Sequence, residues 1–333
     1  MMKKLLFLTM LVSFIANSQT NVYNYGFASP TATMIGADAW VRTNQSTSPS
    51  TTTLWTVATY TAVTVSATVS ATPFQNQTYT TGQTCPIPTG QAGGNNSFAL
   101  VNYTSTTSTA AAGATISNWL ISPLVNVQNG DVVTFYSRIG KYSATGAASY
   151  ADNLELRMST NGAFTADPTG GPEGLGDYTN LLVEINPNFD LSSYPVAWTQ
   201  YSYTVSGLTG PTDVKFGFRY YVTDGGANGS NSDIIGLDSF SVDRPAASAQ
   251  SFFANNFSIQ PNPVSDVFSV TAKNNVAIEN IKVMDINGRI ISESNNTNGS
   301  DAMQVNIGEL NAGVYFVKVQ SELGVGTSKI IKK

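Results

Sequence analysis

The chain has 333 residues with 16 Lys or Arg, 21 Asp or Glu and no His, so it cannot build a Ser-His-Asp, Cys-His or histidine-zinc site. Charged residues make up 11% of the chain, against roughly 25% in an average soluble domain, and the single cysteine, Cys85, cannot form an internal disulfide bond. A net charge of −5 with scattered basic residues disfavours nucleic acid and anionic membranes as partners.

Residues 1–18 are typical of a secretory signal peptide. A basic start at Lys3 and Lys4 precedes an apolar run, and the small residue Ser18 stands at a possible cleavage position. The apolar run is shorter than the roughly 20 residues that a membrane-spanning helix needs. We therefore predict Sec-dependent export to the periplasm, with no transmembrane segment in the mature chain.

Residues 19–244 are predicted to form an all-β domain, most simply a jelly-roll β-sandwich. Apolar and polar residues alternate with a period of two, which is typical of half-buried antiparallel strands, and glycine-rich or Asn-rich breaks separate the runs. No stretch shows the periodicity and caps of a helix, so a layered sheet architecture is favoured. The alternation predicts strands at residues 63–70, 132–139, 153–159, 200–205, 214–222 and 234–242.

Several motifs follow one another in this segment. They are NWLISP at residues 118–123, then LVNVQNGDVVTFYSR, YADNLELRMSTNG and finally IIGLDSFSV at residues 234–242. In this order they resemble the cleaved-adhesin or choice-of-anchor J family of bacterial surface proteins. The resemblance implies a jelly roll similar to carbohydrate-binding and MAM-type modules, which works in adhesion or ligand binding without catalysis of its own.

Residues 245–256 are predicted to be a linker, because the composition changes there to Ala, Ser, Gln and Asn with two phenylalanines. Residues 257–333 are predicted to form a second, small Ig-like β-sandwich. Asn287-Gly288 lies between two strand-like runs and predicts a hairpin, since both residues accept positive φ.

The second domain carries the motifs PNP, MDINGR, LNAGVYFVK and SKIIKK in that order. They closely resemble the type A C-terminal sorting domain of the type IX secretion system of Bacteroidetes. The resemblance implies recognition by the type IX translocon and sorting machinery, and a final location at the cell surface or outside the cell. The sorting-signal residues that it marks are Pro261, Asn262, Pro263, Asp285, Gly288, Gly313, Tyr315, Lys329 and Lys332.

Two pairs of acids are candidates for hydrolysis by paired carboxylates, which must flank the scissile bond. They are Asp152 with Glu155, and Glu173 with Asp177. Glu155 falls on the polar face of a predicted strand and the second pair lies in a glycine-rich loop, so we interpret these acids as solvated surface residues. The chain is not predicted to be an enzyme, although a secreted glycan-degrading hydrolase stays as an alternative.

Calcium is the cofactor that the sequence favours, because it accepts Asp, Asn and carbonyl oxygens. Asp238 lies in a strand predicted to be buried on both sides, and a buried carboxylate needs a partner. By resemblance to carbohydrate-binding jelly rolls, we expect a structural Ca²⁺ at Asp238, with Asp38 or nearby carbonyl groups as co-ligands. The loop at residues 224–233 is a second, weaker candidate. The alternative for Asp238 is hydrogen bonding or pairing with an arginine, such as Arg138, Arg157 or Arg219.

Aromatic residues near predicted loops and strand ends can stack on the apolar faces of sugars. We select Tyr142, Tyr150 and Trp198 as ligand-binding residues, while Trp119 and Trp198 also fit positions in the core.

The predicted function is a non-catalytic surface protein that binds a glycan or an extracellular matrix protein. A structural surface component without a specific ligand is the alternative. Further aromatic candidates are Tyr178, Tyr201 and Tyr221.

Overall fold

The structure is a computed structural model. It describes residues 20–28, 35, 38–140, 149–245, 249–273 and 276–333. These residues form two compact units, 20–245 and 249–333. The predicted signal peptide lies outside the described residues. Within the described ranges, no helix is long and apolar enough to cross a membrane.

The N-terminal unit is made mainly of strands, with short 3-10 turns at Tyr103–Ser105 and Gly162–Phe164. Its strands are β1 (Thr20–Tyr25), β2 (Val41–Asn44), β3 (Thr56–Val57), β4 (Val63–Thr64), β5 (Thr84–Cys85), β6 (Ala99–Asn102), β7 (Ala114–Ile121), β8 (Val125–Val127), β9 (Val132–Ile139), β10 (Leu154–Ser159), β11 (Asn180–Ile185), β12 (Thr199–Thr204), β13 (Thr212–Gly225) and β14 (Ile234–Arg244).

Two six-stranded antiparallel sheets form the N-terminal sandwich. The first has the order β12-β9-β14-β6-β3, with β1 also paired to β14, and the second has the order β11-β10-β13-β7-β2, with β8 also paired to β13. Apolar side chains from both sheets meet in one core. Phe218 of the second sheet and Phe240 of the first lie edge to face, with ring centroids 5.5 Å apart. The predicted all-β sandwich is confirmed.

Most of the predicted strands of this unit are confirmed, as β9, β10, β12, β13 and β14. The strand predicted at residues 63–70 is wrong, because only Val63–Thr64 pairs there. The Ser66 hydroxyl oxygen accepts hydrogen bonds from the backbone N–H groups of Thr68 and Val69, at 3.3 and 3.1 Å, and turns the chain. Serine and threonine side chains compete in this way with strand pairing, which the alternating pattern does not reveal.

The strands of the C-terminal unit are β15 (Phe257–Gln260), β16 (Val267–Ala272), β17 (Ile278–Met284), β18 (Ile290–Asn295), β19 (Ala302–Asn306), β20 (Gly313–Ser321) and β21 (Gly324–Lys332). They form a second sandwich, with a three-stranded sheet of order β15-β16-β19 and a four-stranded sheet of order β18-β17-β20-β21. The predicted hairpin is confirmed between β17 and β18, where Gly288 has a φ of 79°.

A helix, Ala249–Asn256, occupies the segment that we predicted to be a linker. Phe253 of this helix is only 5% exposed and belongs to the core of the C-terminal unit. Gly326 of β21 makes room for the helix, since a Cβ there would lie 2.8 Å from the Cα of Phe253. The linker prediction is corrected accordingly: burial of its phenylalanines makes the segment part of the second sandwich.

Candidate functional site

A cavity of about 260 Å³ lies where three connections of the N-terminal unit meet. These are the segment after β6, the segment before β10 and the loop between β13 and β14. Tyr103 and Tyr150 are 39% and 45% exposed, so their rings are partly open to solvent. Tyr150 is one of the ligand-binding residues predicted from the sequence. The lining residues are Tyr103, Tyr150, Gly226, Ala227, Ser232 and Asp233.

The loop between β13 and β14 is fixed by its own hydrogen bonds. The Gly226 N–H donates to the Ser232 hydroxyl at 2.8 Å, and the Asn231 N–H donates to the Asp224 carbonyl at 2.9 Å. Gly229 is required here, because a Cβ would lie 2.1 Å from the Asp224 carbonyl oxygen. Gly, Asn and Ser favour such local turns, so this composition gives a defined wall for the cavity.

Two hydrogen bonds hold the backbone of Asp233, whereas its side chain makes none with a residue that the structure describes. Its N–H donates to Asp152 Oδ1 at 2.9 Å, and its carbonyl accepts from the Tyr103 N–H at 2.8 Å. No residue within the described ranges donates a hydrogen bond to the Asp233 carboxylate. Burial raises the pKa of this carboxyl above its ordinary value. The cavity therefore presents an unpartnered acid together with two tyrosine rings.

Asp152 lies next to Asp233 and is buried, so its interpretation as a solvated acid is wrong. Its Oδ1 accepts hydrogen bonds from the Tyr220 hydroxyl at 2.5 Å and from the Asp233 N–H. Its Oδ2 is buried without a hydrogen-bond partner. Burial raises the pKa of Asp152 to about 7, because the charged form loses its hydration. Asp152 supports the backbone of Asp233 from inside the sandwich.

Glu155 is also buried, which corrects its placement on a solvated strand face. Its Oε2 lies 2.7 Å from Arg157 Nε and 3.0 Å from Arg219 Nη1. A second Arg219 nitrogen donates to the Pro172 carbonyl, so a glycine-rich loop covers this face of the sheet. Asp152 contacts Tyr220 of the core, whereas Glu155 contacts the outward Arg219, so the two carboxylates lie on opposite faces.

The second acid pair, Glu173 and Asp177, forms hydrogen bonds that hold the same glycine-rich loop. Both carboxylate oxygens of Glu173 accept hydrogen bonds from the Tyr221 hydroxyl, at 2.8 and 2.9 Å. Asp177 accepts from the Ala166 N–H at 2.7 Å, and this bond lowers the pKa of Asp177. Each acid of this pair is therefore engaged by a different group of the protein.

Trp198, the other predicted ligand-binding aromatic residue that the structure describes, is not in the lining of the cavity. Trp198 is half-buried, with its ring 5.4 Å from Phe98, and its Nε1 donates to the Thr89 carbonyl at 3.2 Å. Tyr142 lies outside the described residues. Sequence reasoning missed Tyr103, whose only signal is its position directly after β6. Trp119 and Tyr178 are fully buried, while Tyr201 and Tyr221 are half-buried.

Asp238 and Asp38, the predicted calcium ligands, make different contacts. Asp238 is buried, and its two oxygens accept from the N–H groups of Gln91 and Ser239 at 2.6 and 2.7 Å. Burial raises the pKa of Asp238 to about 6. Asp38 is exposed and accepts from the Tyr25 hydroxyl at 2.6 Å.

Backbone amides donate to both oxygens of Asp238, so this buried carboxylate has the partners that burial requires. Among the residues that the structure describes, no group of three or more His, Cys, Asp and Glu is placed to hold a metal. Calcium stays a prediction, and the contacts of Asp238 favour the hydrogen-bonded alternative.

A larger, open groove of about 710 Å³ lies elsewhere on the N-terminal unit. Its lining includes Asn180, Tyr203 and Thr209, and among the described residues it contains no Asp, Glu, Lys or Arg. The groove therefore lacks the convergence of rings and a carboxylate that distinguishes the smaller cavity.

In the C-terminal unit, the PNP motif is attached to β21. The Asn262 side chain donates to the Lys329 carbonyl and accepts from the Ile331 N–H, each at 3.0 Å. Pro261 and Pro263 flank this amide. The motif thus forms hydrogen bonds with backbone groups of β21, the edge strand of its sheet. Unpaired backbone groups at a sheet edge can otherwise pair with another chain.

The remaining sorting-signal residues hold turns and strand ends. Asp285 Oδ1 accepts from the N–H groups of Asn287 and Arg289, both at 3.0 Å, and closes the hairpin around Gly288. Gly313 begins β20, and the Tyr315 hydroxyl donates to the Asn311 carbonyl at 3.0 Å. Lys329 is exposed, whereas Lys332 is largely buried.

Comparison with curated proteins finds no significant match. Among solved structures, the K3 cleaved adhesin domain of Lys-gingipain from Porphyromonas gingivalis is similar at a TM-score of 0.35 and 14% identity, over 67% of this chain and 99% of that one. The K2 cleaved adhesin domain of Lys-gingipain gives 0.34 and 17%, over 66% and 98%. The adhesin domain of Epf from Streptococcus pyogenes gives 0.30 and 8%, over 94% and 96%. Similarity at these TM-scores carries no inference about function.

Residues 258–333 match the family described as the secretion system C-terminal sorting domain. The match spans β16 to β21 and includes all the motif residues from Pro261 to Lys332. It confirms the resemblance of this segment to sorting domains of the type IX system. The chain therefore carries a type IX C-terminal sorting domain, which implies export to the cell surface or the extracellular space.

Proposed function

We propose that the N-terminal unit is a non-catalytic recognition module, which binds an extracellular glycan or protein at the cavity of Tyr103, Tyr150 and Asp233. The sorting domain delivers this module to the cell surface through the type IX machinery, after Sec-dependent entry into the periplasm. The observation that carries the proposal is the Asp233 carboxylate, which has no hydrogen-bond partner among the residues that the structure describes and lines the same cavity as two partly exposed tyrosines.

The physical state of the cavity supports a binding role. Burying a carboxylate without a partner costs free energy, so an arrangement of this kind is retained most readily where a ligand supplies the partner. The backbone of Asp233 is fixed by Asp152 on one side and Tyr103 on the other. A fixed site loses little conformational entropy when a ligand binds, which favours affinity.

The engagement of the other acids supports a module without catalysis. Glu155 is paired with two arginines, and Glu173 and Asp177 hold the glycine-rich loop. Asp152 is directed into the sandwich and bonded to Tyr220. General acid and base catalysis by carboxylates needs a pair that flanks the substrate bond, and these four do not supply one.

Binding of the purified full chain to panels of glycans and extracellular matrix proteins tests the proposal. Tyr150→Ala should lose binding to any ligand that the wild type retains, because it removes one wall of the cavity. Phe164→Ala is the matched control: Phe164 is 92% exposed on the same unit and does not line the cavity. Equal binding by both variants would place the binding site outside the cavity and contradict the proposal. No binding to any member of the panels would favour a structural surface component instead.

Export is tested separately by deletion of residues 257–333 in the producing bacterium. The truncated chain should accumulate in the periplasm, since it lacks the sorting domain. Asp285→Ala, which removes the acceptor that closes one hairpin, serves as a milder variant. Unchanged delivery of the truncated chain to the surface would contradict the export route.

A further inference from the structure

We propose that the cavity of Tyr103, Tyr150 and Asp233 takes the cationic side chain of a lysine or arginine from an extracellular partner protein. The inference rests on the function proposed above and names the chemistry of the ligand for the same site.

The charge of the cavity is the first argument. Asp233 is the one charged residue of the lining, and its carboxylate has no donor within the described ranges. A second carboxyl, that of Asp152, lies directly behind the Asp233 backbone. An ammonium or guanidinium group would supply the missing hydrogen bonds and neutralise the carboxylate, whereas an anionic ligand would meet repulsion.

The two aromatic rings are the second argument. Tyr103 and Tyr150 line the same cavity as Asp233, and neither hydroxyl group is engaged by a residue that the structure describes. A cation is attracted to the face of a tyrosine ring, and the long aliphatic stems of Lys and Arg pack on apolar surface while the charged end reaches a polar partner. Rings around one carboxylate match both parts of such a side chain.

The size of the cavity separates a side chain from a sugar. At about 260 Å³ it is smaller than sites for small molecules, which occupy roughly 300 to 1,000 Å³. A buried sugar ring carries several hydroxyl groups that each need a partner. The Ser232 hydroxyl already accepts a hydrogen bond from the Gly226 N–H, which leaves the Asp233 carboxylate and the two tyrosine hydroxyls of the described lining to serve them. A single cationic side chain needs only the carboxylate.

Binding of the full chain to immobilised polymers tests the inference. The probes are polylysine and polyarginine, with chitosan as an amino-sugar polymer and polyglutamate as an anionic control, at about 0.15 M salt to screen long-range attraction. We expect Asp233→Asn to weaken binding to polylysine or polyarginine about tenfold and Tyr150→Ala to weaken it several-fold. Glu309→Gln removes the same charge from an exposed residue elsewhere and should change binding less than about twofold.

The outcomes separate this inference from the function on which it rests. Equal loss in Asp233→Asn and Glu309→Gln would overturn it, because attraction would then follow net charge alone. Tighter binding to chitosan than to both polypeptides would also overturn it, in favour of an amino sugar. Ligand binding that needs Tyr150 but not the Asp233 charge would overturn the cationic ligand and leave the recognition site intact. Ligand binding that needs neither residue would overturn both.

Discussion

Acids in the N-terminal unit occupy two contrasting environments. Glu155, on the outer face of one sheet, is buried with Arg157 and Arg219 within hydrogen-bond distance. Asp152 and Asp233 are adjacent and have no basic partner among the residues that the structure describes. Buried acids with arginine partners stabilise a loop, whereas acids without them leave charge available to a ligand or to a proton. The difference separates structural acids from candidate functional ones, which their sequence context does not.

The largest expected effect on stability comes from removing an arginine partner of Glu155. Arg219→Ala removes one of the two arginine partners of Glu155 and leaves Arg157 as its remaining partner. It should destabilise the N-terminal unit by about 2–3 kcal/mol, the cost of losing a buried hydrogen bond to a charged group. Urea unfolding measures this change. Lys282→Ala is the control, because it breaks an ion pair that is partly exposed on both sides and should cost less than about 1 kcal/mol. Similar losses in both variants would contradict a structural role for Glu155 and its arginines.

Asp152 should make stability depend on pH. Its pKa is about 7 in the folded chain, above the value of roughly 3.9 for an unfolded aspartate. The folded state therefore binds more protons between these values, and the free energy of unfolding should fall as the pH rises from about 4 to 7. Asp152→Asn, which stays neutral, should flatten this fall in urea unfolding.

Asp238→Asn is the control for this pH dependence. Its carboxyl has a pKa of about 6, which is also raised, so it contributes a fall of the same sign that ends at lower pH. Above about pH 6 the remaining slope should belong to Asp152. A slope that persists unchanged in Asp152→Asn would contradict the assignment.

Asp233→Asn should have a small effect on folding in spite of its large expected effect on binding. The carboxylate makes no hydrogen bond with a described residue, so its loss should change the free energy of unfolding by less than about 0.5 kcal/mol. Thermal unfolding at neutral pH measures the change. A loss comparable to that of Arg219→Ala would place Asp233 among the structural acids.

Calcium should have the smallest effect. Because backbone amides already serve both oxygens of Asp238, the melting temperature of the N-terminal unit should be the same in EDTA and in calcium. A clear rise with calcium that disappears in Asp238→Asn would restore the calcium site predicted from the sequence.

The sandwich architecture and the sorting domain were accessible from the sequence, for physical reasons. Period-two alternation reports directly which face of β9 or β13 is buried, and Asn287-Gly288 fixes a hairpin through local backbone preferences. The sorting motifs are short segments that form turns, so they can be recognised in the sequence without knowledge of distant contacts.

The burial of the acids was not accessible in the same way. Alternation along β10 marks Glu155 as polar, but it does not show that the glycine-rich loop folds back over that face. The convergence of Tyr103, Tyr150 and Asp233 depends on three separate connections, which no local pattern links. The helix at 249–256 was missed for a related reason, because it packs against Gly326 of the distant β21 and Phe253 joins a core formed by residues far along the chain.

The central claim is that the cavity of Tyr103, Tyr150 and Asp233 binds a ligand through the unpartnered carboxylate. A crystal structure of the chain soaked with N-acetyl-lysine methylamide tests it most directly. The account predicts an ordered ammonium group about 3 Å from the Asp233 carboxylate, with the aliphatic stem against the tyrosine rings. Binding of this probe only in the larger open groove near Tyr203, with water alone beside Asp233, would contradict the account.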